Sequence, residues 1–573
     1  MAEDKLVPKM DQVIEECSRA NERLEAALGR FALRFRPGAK EEWSAFGGGL
    51  PFDPSTMEVS PDMSENERWL REAYGPSSDL VIRKMRLGDQ LQTQIMIAYI
   101  DGMTDILRLT EGILKPITQV GTALPGMNKP DSIFDELLDR FLHVGEVQEA
   151  AKLRDMLHMI SSGDTAVIVA GHPKALICGL RLWPDRGVEK PSTEETLRGP
   201  QLGFSETLRT NTSLLRRLIK TPGLWIEDHT IGQRSQTSVS IVYLKGVTSE
   251  ELVKEVRERL NRIDTDQVLE SGILEEFIED APWSPFPTVL RTERPDRVAA
   301  CLFEGRVAIL VDGTPFVLIV PCTLTEFLVG SSDYYERAYL ANFLRMVRSF
   351  AFFFPLGISA FYIAVTTFHQ EMVPTPLILS IASQREGIPF PAVIEVLLLE
   401  FAVEVLRQAS IHVPKIIGPA ISIIGVLIVG QAAVMAGLVS NAVVIIVAFG
   451  AVASFATPIY SMGIAIRLLR LPIILLAASL GLFGIAMGFS AILVHLTALR
   501  SFGVPYLQPL APVVTSDLKD TLIRLPWWMM RTRPALTDVQ NISRQKPGQM
   551  PEPPEPTPPA AQNDGQAQGG GEK

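Results

Sequence analysis

Charged side chains vanish from this chain between Ile416 and Ile466. A helix rises about 1.5 Å per residue and a bilayer core is about 30 Å thick, so that run is long enough to cross twice. Ser349 to Phe368 and Leu471 to Val494 are also uncharged, each about the length of one crossing. Lipid cannot satisfy backbone polar groups, so these runs predict helices at about 349–368, 416–438, 441–460 and 471–497. Between the first two lies His369 to Lys415, with Pro374, Pro376, Pro389 and Pro391, and then an amphipathic pattern that predicts a helix over 392–409. Ser440-Asn441 predicts a tight turn, with one of the two capping the next helix.

The first 300 residues have a different texture. An amphipathic, charged pattern predicts a helix over 8–34, and a Gly-, Pro- and Ser-rich stretch predicts a linker over 37–63. A mostly helical segment is expected to about Leu157. Thr165–Ala170 and Ala175–Leu180 flank Gly171-His172-Pro173-Lys174 and predict strand, turn and strand. Ser238–Leu244 alternates as a strand does, and Thr248-Ser249-Glu250-Glu251 fits a capping box opening a helix over Leu252–Ile263. Val307–Val311 and Phe316–Val320 are too short to span and are split by Asp312-Gly313-Thr314-Pro315. Asp-Gly between β-branched runs predicts a hairpin, placed here near the membrane entrance.

The expected architecture is an α/β cytoplasmic region of two subdomains joined to an α-helical polytopic membrane domain. Its parts are a helix and linker (1–63), a mostly helical subdomain (64–160), an α/β subdomain (161–300), a hairpin and juxtamembrane segment (301–345), and a transmembrane domain (346–500). A basic cytoplasmic tail (501–546) and a Pro-, Gln- and Gly-rich tail expected to be disordered (547–573) complete it. Arg345 and Arg348 before the first span, and the basic residues after Arg500, place both ends inside. Four spans satisfy that, although Arg467 and Arg470 then fall outside.

The net charge of −11 argues against a nucleic-acid partner. Cys17, Cys178, Cys301 and Cys322 have no metal or disulfide spacing, and the charged first thirty residues do not form a cleavable signal. Walker A, HExxH and GxSxG motifs are absent, so neither an enzyme nor a cofactor is expected. The notable polar groups lie among the apolar runs. Glu400, Glu404 and Arg407 share one face of the 392–409 helix, with Glu395 near them. They read either as the lining of an ion path or as the wet side of an interfacial helix. Gln431 reads as an interhelical hydrogen-bonding group or as a pore group, and Gly430, Ala432, Ala433 and Gly437 as close-packing positions.

Several strings resemble the A subunits of the GerA family of spore germinant receptors. They include TERPDRVAACLFEGRVAILVDGTPFVLIVP (292–321), FYIAVTTFHQEMVPTPLILSIASQREGIPFP (361–391), VGQAAVMAGLVS (429–440), FGVPYLQPLAP (502–512) and DLKDTLIRLPWWMMRTRP (517–534). The resemblance extends over about residues 64 to 534. It implies a subunit of the spore inner membrane that works with a transporter-like B subunit and a lipoprotein C subunit. It also implies a homo-oligomer, a pentamer, forming a ligand-gated cation channel that starts germination. SpoVAF proteins, a sister group that amplifies germination, share these motifs, and a non-conducting scaffold for a nutrient-binding partner is a further reading. If Glu400 and Glu404 face the path, their symmetric ring favours cations.

Overall fold

The computed structural model describes residues 52–87, 93–118, 130–182, 194, 198–412, 430–454, 456, 459–535 and 541–551. The expected helix over 8–34, most of the expected linker, the start of the long uncharged run and the Pro-rich end lie outside the described residues.

The α/β region is the same fold used twice. In the first unit, α1 (Met63–Tyr74) leads into β1 (Leu80–Arg86) and β2 (Gln94–Ile100). Helical segments within 106–118 and 130–141 follow, then β3 (Val147–Ala150), α2 (Leu153–Ser161), β4 (Thr165–Val169) and β5 (Ala175–Cys178). The second unit repeats this with α3 (Leu208–Leu218), β6 (Leu224–Ile231), β7 (Thr237–Leu244), α4 (Glu250–Asn261), α5 (Ser271–Ile278), β8 (Leu290–Thr292), α6 (Pro295–Phe303), β9 (Val307–Val311) and β10 (Val317–Val320). The sheets run β1-β2-β4-β5-β3 and β6-β7-β9-β10-β8, with every neighbouring pair antiparallel.

The repetition extends to single hydrogen bonds. Asn66 in α1 accepts from the Ser60 N–H and donates to the Ser60 carbonyl, and Asn211 in α3 does the same with Ser205. The hairpin glycines Gly171 (φ +89°) and Gly313 (φ +91°) donate to the carbonyls of Pro61 and Glu206, the residues just after those serines. In each unit the hairpin at the centre of the sheet thus ties down the start of the leading helix.

These units correct the expected boundaries. The segment before residue 160 contains three strands rather than mostly helix, and β4 and β5 complete the first sheet instead of opening a second subdomain. An apolar run such as Gln94–Ile100 has no length or punctuation that separates strand from helix. Residues 52–62 pack onto the first unit, with Val59 buried and its N–H bonded to the Ala151 carbonyl. Ser249 is the N-cap of α4, yet it makes no side-chain capping bond; Thr248 Oγ1 instead accepts from the Leu244 N–H. The Asp312-Gly313 hairpin forms, but inside the second sheet rather than as a separate juxtamembrane piece.

The helical region begins with α7 (Ala338–Thr367) and continues through α8 (Thr375–Arg385), α9 (Ala392–His412), α10 (Asn441–Ser454) and α11 (Tyr460–Ala498). Among the described residues, α7 and α11 are long and apolar enough to cross a membrane. Helix α10 stops at Ser454, before the expected 460, and α11 starts before the expected 471, so Arg467 and Arg470 are helical rather than in a loop.

Helix α11 folds back on itself at Gly481, whose φ of +62° suits glycine. Beyond the turn, a Cβ on Gly484 would lie 2.1 Å from the Leu476 carbonyl oxygen, and one on Gly488 would lie 3.4 Å from Ile473. These glycines let the two arms close together. At the turn, Gly481 meets Phe368 and His369 at the end of α7. At the other end, Phe352 of α7 and Ile466 and Leu496 of α11 line one groove with Phe286 of the second α/β unit. The apolar core of the second sheet therefore runs into the helical core without a break.

Candidate functional site: a charged cluster among apolar helices

Glu400, Glu404 and Arg407 lie on one face of α9, as their spacing predicts, and α11 supplies the opposing charges. Arg470 Nη1 donates to Glu400 Oε2 at 2.6 Å, and the Ser359 hydroxyl on α7 donates to Glu400 Oε1 at 2.9 Å. Both ends of the ion pair are buried, with side chains 5% and 9% exposed. Glu404 lies further along, 3.7 Å from Arg407 and 3.7 Å from Arg467, with its side chain 52% exposed. Arg467 also stands over the Tyr460 ring, and Arg407 donates to Ser454 on α10.

Three arginines thus meet two carboxylates in two groups, the buried Glu400–Arg470 pair and, about a turn along each helix, the half-exposed Glu404 with Arg407 and Arg467. Moving a charge out of water costs several kcal/mol per ion, so only pairing and hydrogen bonding keep such groups in place. Arg470 is only partly compensated, because its buried Nε and Nη2 have no hydrogen-bond partner. Arg467 and Arg470, which fit poorly as outside loop residues, are the counter-charges of the α9 acids. An i, i+3 basic pair in one apolar segment and an i, i+4 acidic pair in another was the available signal. Ser359 and Ser454 carried none, being isolated hydroxyls in apolar runs.

Glu395 is separate from this cluster. It is fully buried, accepts the Ser440 N–H at 2.9 Å and pairs with Arg385 at 3.2 Å. It thereby ties α8 and the turn before α10 to α9. Gln431 and Ala432 are exposed and Ala433 is buried, and the described residues 430–435 are helical. Gly430 faces Val444 at ordinary packing distance. Gly437 (φ +66°) ends that stretch, donating to the Val434 carbonyl while Leu438 donates to the Ala433 carbonyl. Neither Gln431 nor these small residues are brought to the Glu400 cluster. Asp312 Oδ1 accepts the Leu208 N–H at 2.9 Å, so the hairpin turn caps α3.

A second cluster surrounds the start of α7. Asp333 is buried and receives Arg345 Nε at 3.0 Å and both Nη groups of Arg348. Arg345 also reaches Asp520 at 2.9 Å, and Arg524 donates to the carbonyls of Asp333 and Glu336. Asn342 and Arg524 exchange two hydrogen bonds, and Trp527 lies between Arg524 and Arg544. The basic segment after residue 500 is therefore a folded strap around the start of α7. Among the described residues, no group of three or more His, Cys, Asp or Glu is placed to hold a metal ion.

A family model described as Bacillus/Clostridium GerA spore germination protein matches residues 68–536. Spore germination protein KA of Bacillus subtilis is 42% identical over 86% of this chain and 90% of its own length. Spore germination protein GerLA of Bacillus cereus is 37% identical over 83% of this chain and 96% of its own. The crystal structure of the N-terminal domain of the A subunit of the Bacillus megaterium spore germinant receptor GerK3 is 36% identical, covering 46% of this chain and 96% of that one, with a TM-score of 0.36.

Proposed function

Because the chain belongs to the GerA family of spore germination proteins, we propose that it is the A subunit of a nutrient germinant receptor. In this reading it is an integral protein of the spore inner membrane, with both ends on the cytoplasmic side. It assembles as a homo-oligomer, with a transporter-like B subunit and a lipoprotein C subunit as partners. The oligomer forms a ligand-gated cation channel whose opening starts germination.

The observation that carries this reading is the charged cluster at Glu400 and Glu404 inside otherwise apolar helices. Charges are retained at such depth where they face one another or a polar path. The described helices agree with an even number of crossings. Arg345 near the start of α7 bonds to the folded tail, and His495 near the end of α11 hydrogen-bonds Ser284 of the second α/β unit. Both ends of the helical region thus meet the same body. A partner that shifts α9 against α11 would pull Glu400 from Arg470 and expose the acidic face to the path.

One observation favours a non-conducting scaffold: Glu400 is already paired within a single chain. The test is monovalent cation flux from liposomes holding the receptor, with Glu404→Lys beside the parent chain. A channel lined by this face loses or inverts its cation preference. Unchanged flux from an intact complex moves the path elsewhere.

A further inference from the structure

The loop after α5 carries Trp283, whose 97% exposure is extreme for so large an apolar residue. The loop is held by the end of α11. Ser284 Oγ and His495 Nε2 are 2.8 Å apart, the Ser284 hydroxyl also accepts the Phe286 N–H, and the Phe286 ring lies against His495. Directly beside it, Leu493 and Val494 of α11 are 58% and 68% exposed. Phe286 also forms part of an almost wholly apolar groove between α7 and the two arms of α11, with Phe352, Leu469, Phe489 and Leu493 among its walls.

A soluble-domain tryptophan fixed beside the exposed apolar end of a spanning helix has the chemistry of the membrane interface. The indole body is apolar, its N–H is polar, and tryptophan is enriched where acyl chains meet headgroups. We propose that the 281–288 loop anchors the second α/β unit to the bilayer, with Trp283 in the headgroup layer and a lipid acyl chain in the adjoining groove. This rests on the reading of α11 as a membrane hairpin. The anchor would hold the second sheet at a fixed depth, so that motion of that unit is passed to α11 through the Ser284–His495 contact.

The test uses the full chain in liposomes made with lipids brominated at defined acyl depths. The fluorescence of Trp283 is isolated as the difference between the parent and Trp283→Phe. Because the side chain is almost fully exposed, this change leaves the fold intact. The expected result is quenching by shallow bromines and protection from aqueous iodide, with labelling of groove residues by a photoactivatable acyl chain that Leu469→Trp abolishes. Quenching by iodide alone would overturn the anchor and leave the loop in water. Protection from both quenchers would also overturn it, placing the loop against a second copy or a partner. Release of the chain by alkaline carbonate would instead remove the membrane reading itself, whereas retention with an unquenched Trp283 removes only the anchor.

Discussion

Arg216 and Arg470 are both buried arginines that meet a single carboxylate, yet they sit in opposite kinds of site. Arg216 lies at the seam between the two α/β units and binds Asp79 through Nε and Nη2, each at 2.8 Å, with side chains 0% and 1% exposed. The Tyr74 ring lies beside it, and the units are further joined by Trp225 Nε1 donating to the Ala73 carbonyl. That pair is bidentate and one-to-one, with only Nη1 of Arg216 left without a hydrogen-bond partner, and among the described residues no further charge adjoins it. The Glu400–Arg470 contact uses one nitrogen, shares its acid with Ser359, and lies about one helical turn from further charges that reach the exterior. An isolated pair locks two bodies, whereas a pair with other charges nearby has somewhere to go when one contact breaks.

The sharpest way to test that contrast is to remove Arg216. Arg216→Ala strands Asp79 in the seam, and stranding a buried charge costs about 3–5 kcal/mol. Chemical unfolding of the purified chain should show that loss, and the double change Asp79→Leu with Arg216→Met should recover much of it. Glu400→Gln should cost less, roughly 1–3 kcal/mol, because the amide oxygen still accepts from Arg470 and its N–H donates to the Ser359 hydroxyl in place of the lost bond. A loss at Glu400 equal to that at Arg216 would make both pairs structural and erase the distinction.

The duplicated hairpins offer a smaller test of the same scaffold. Gly171 and Gly313 share a left-handed conformation, which costs an L-residue about 1–2 kcal/mol. A Cβ at Gly171 would also lie 2.7 Å from Pro130 Cγ, whereas one at Gly313 meets only a carbonyl oxygen 4.0 Å away. Gly171→Ala should therefore lower the unfolding midpoint more than Gly313→Ala does. Equal effects would mean that the Pro130 contact gives way freely.

A further test concerns pH. Burial pushes the Glu275 carboxyl up from 4.5 to about 7. The folded state then holds its proton more tightly than the unfolded state does, so this group lowers stability as pH rises from about 4.5 to about 7, and adds nothing further above that. Glu275→Gln should flatten the slope of unfolding free energy across that window. A slope unchanged by the substitution would assign it to other carboxylates.

Much of this was legible in the residues, and the misreadings have physical causes. Asp312-Gly313 between β-branched runs announced its hairpin, as did Gly171 between Thr165–Val169 and Ala175–Cys178, because turn chemistry is local. The duplication was not legible. Its equivalent features, Asn66 with Asn211 and Gly171 with Gly313, are isolated positions whose shared role is a backbone hydrogen bond, while the intervening residues differ. The turn at Gly481 was hidden because a continuous apolar run reads as one helix, and only a positive φ with two following glycines lets it fold back. On the helices, the i, i+4, i+7 spacing gave the charged face of α9. Arg467 and Arg470 were misplaced because arginines flanking an apolar run signal a loop until an acidic partner is found for them across the bundle.

The account turns on whether the Glu400–Arg470 contact controls an ion path. The most direct measurement is cation flux from liposomes holding the assembled receptor, comparing the parent chain with Glu400→Gln at matched amounts of intact complex. The account predicts that weakening this contact changes gating, giving flux without germinant or none with it. Flux identical to the parent, with the complex intact, would contradict it and reduce the charged cluster to a packing element.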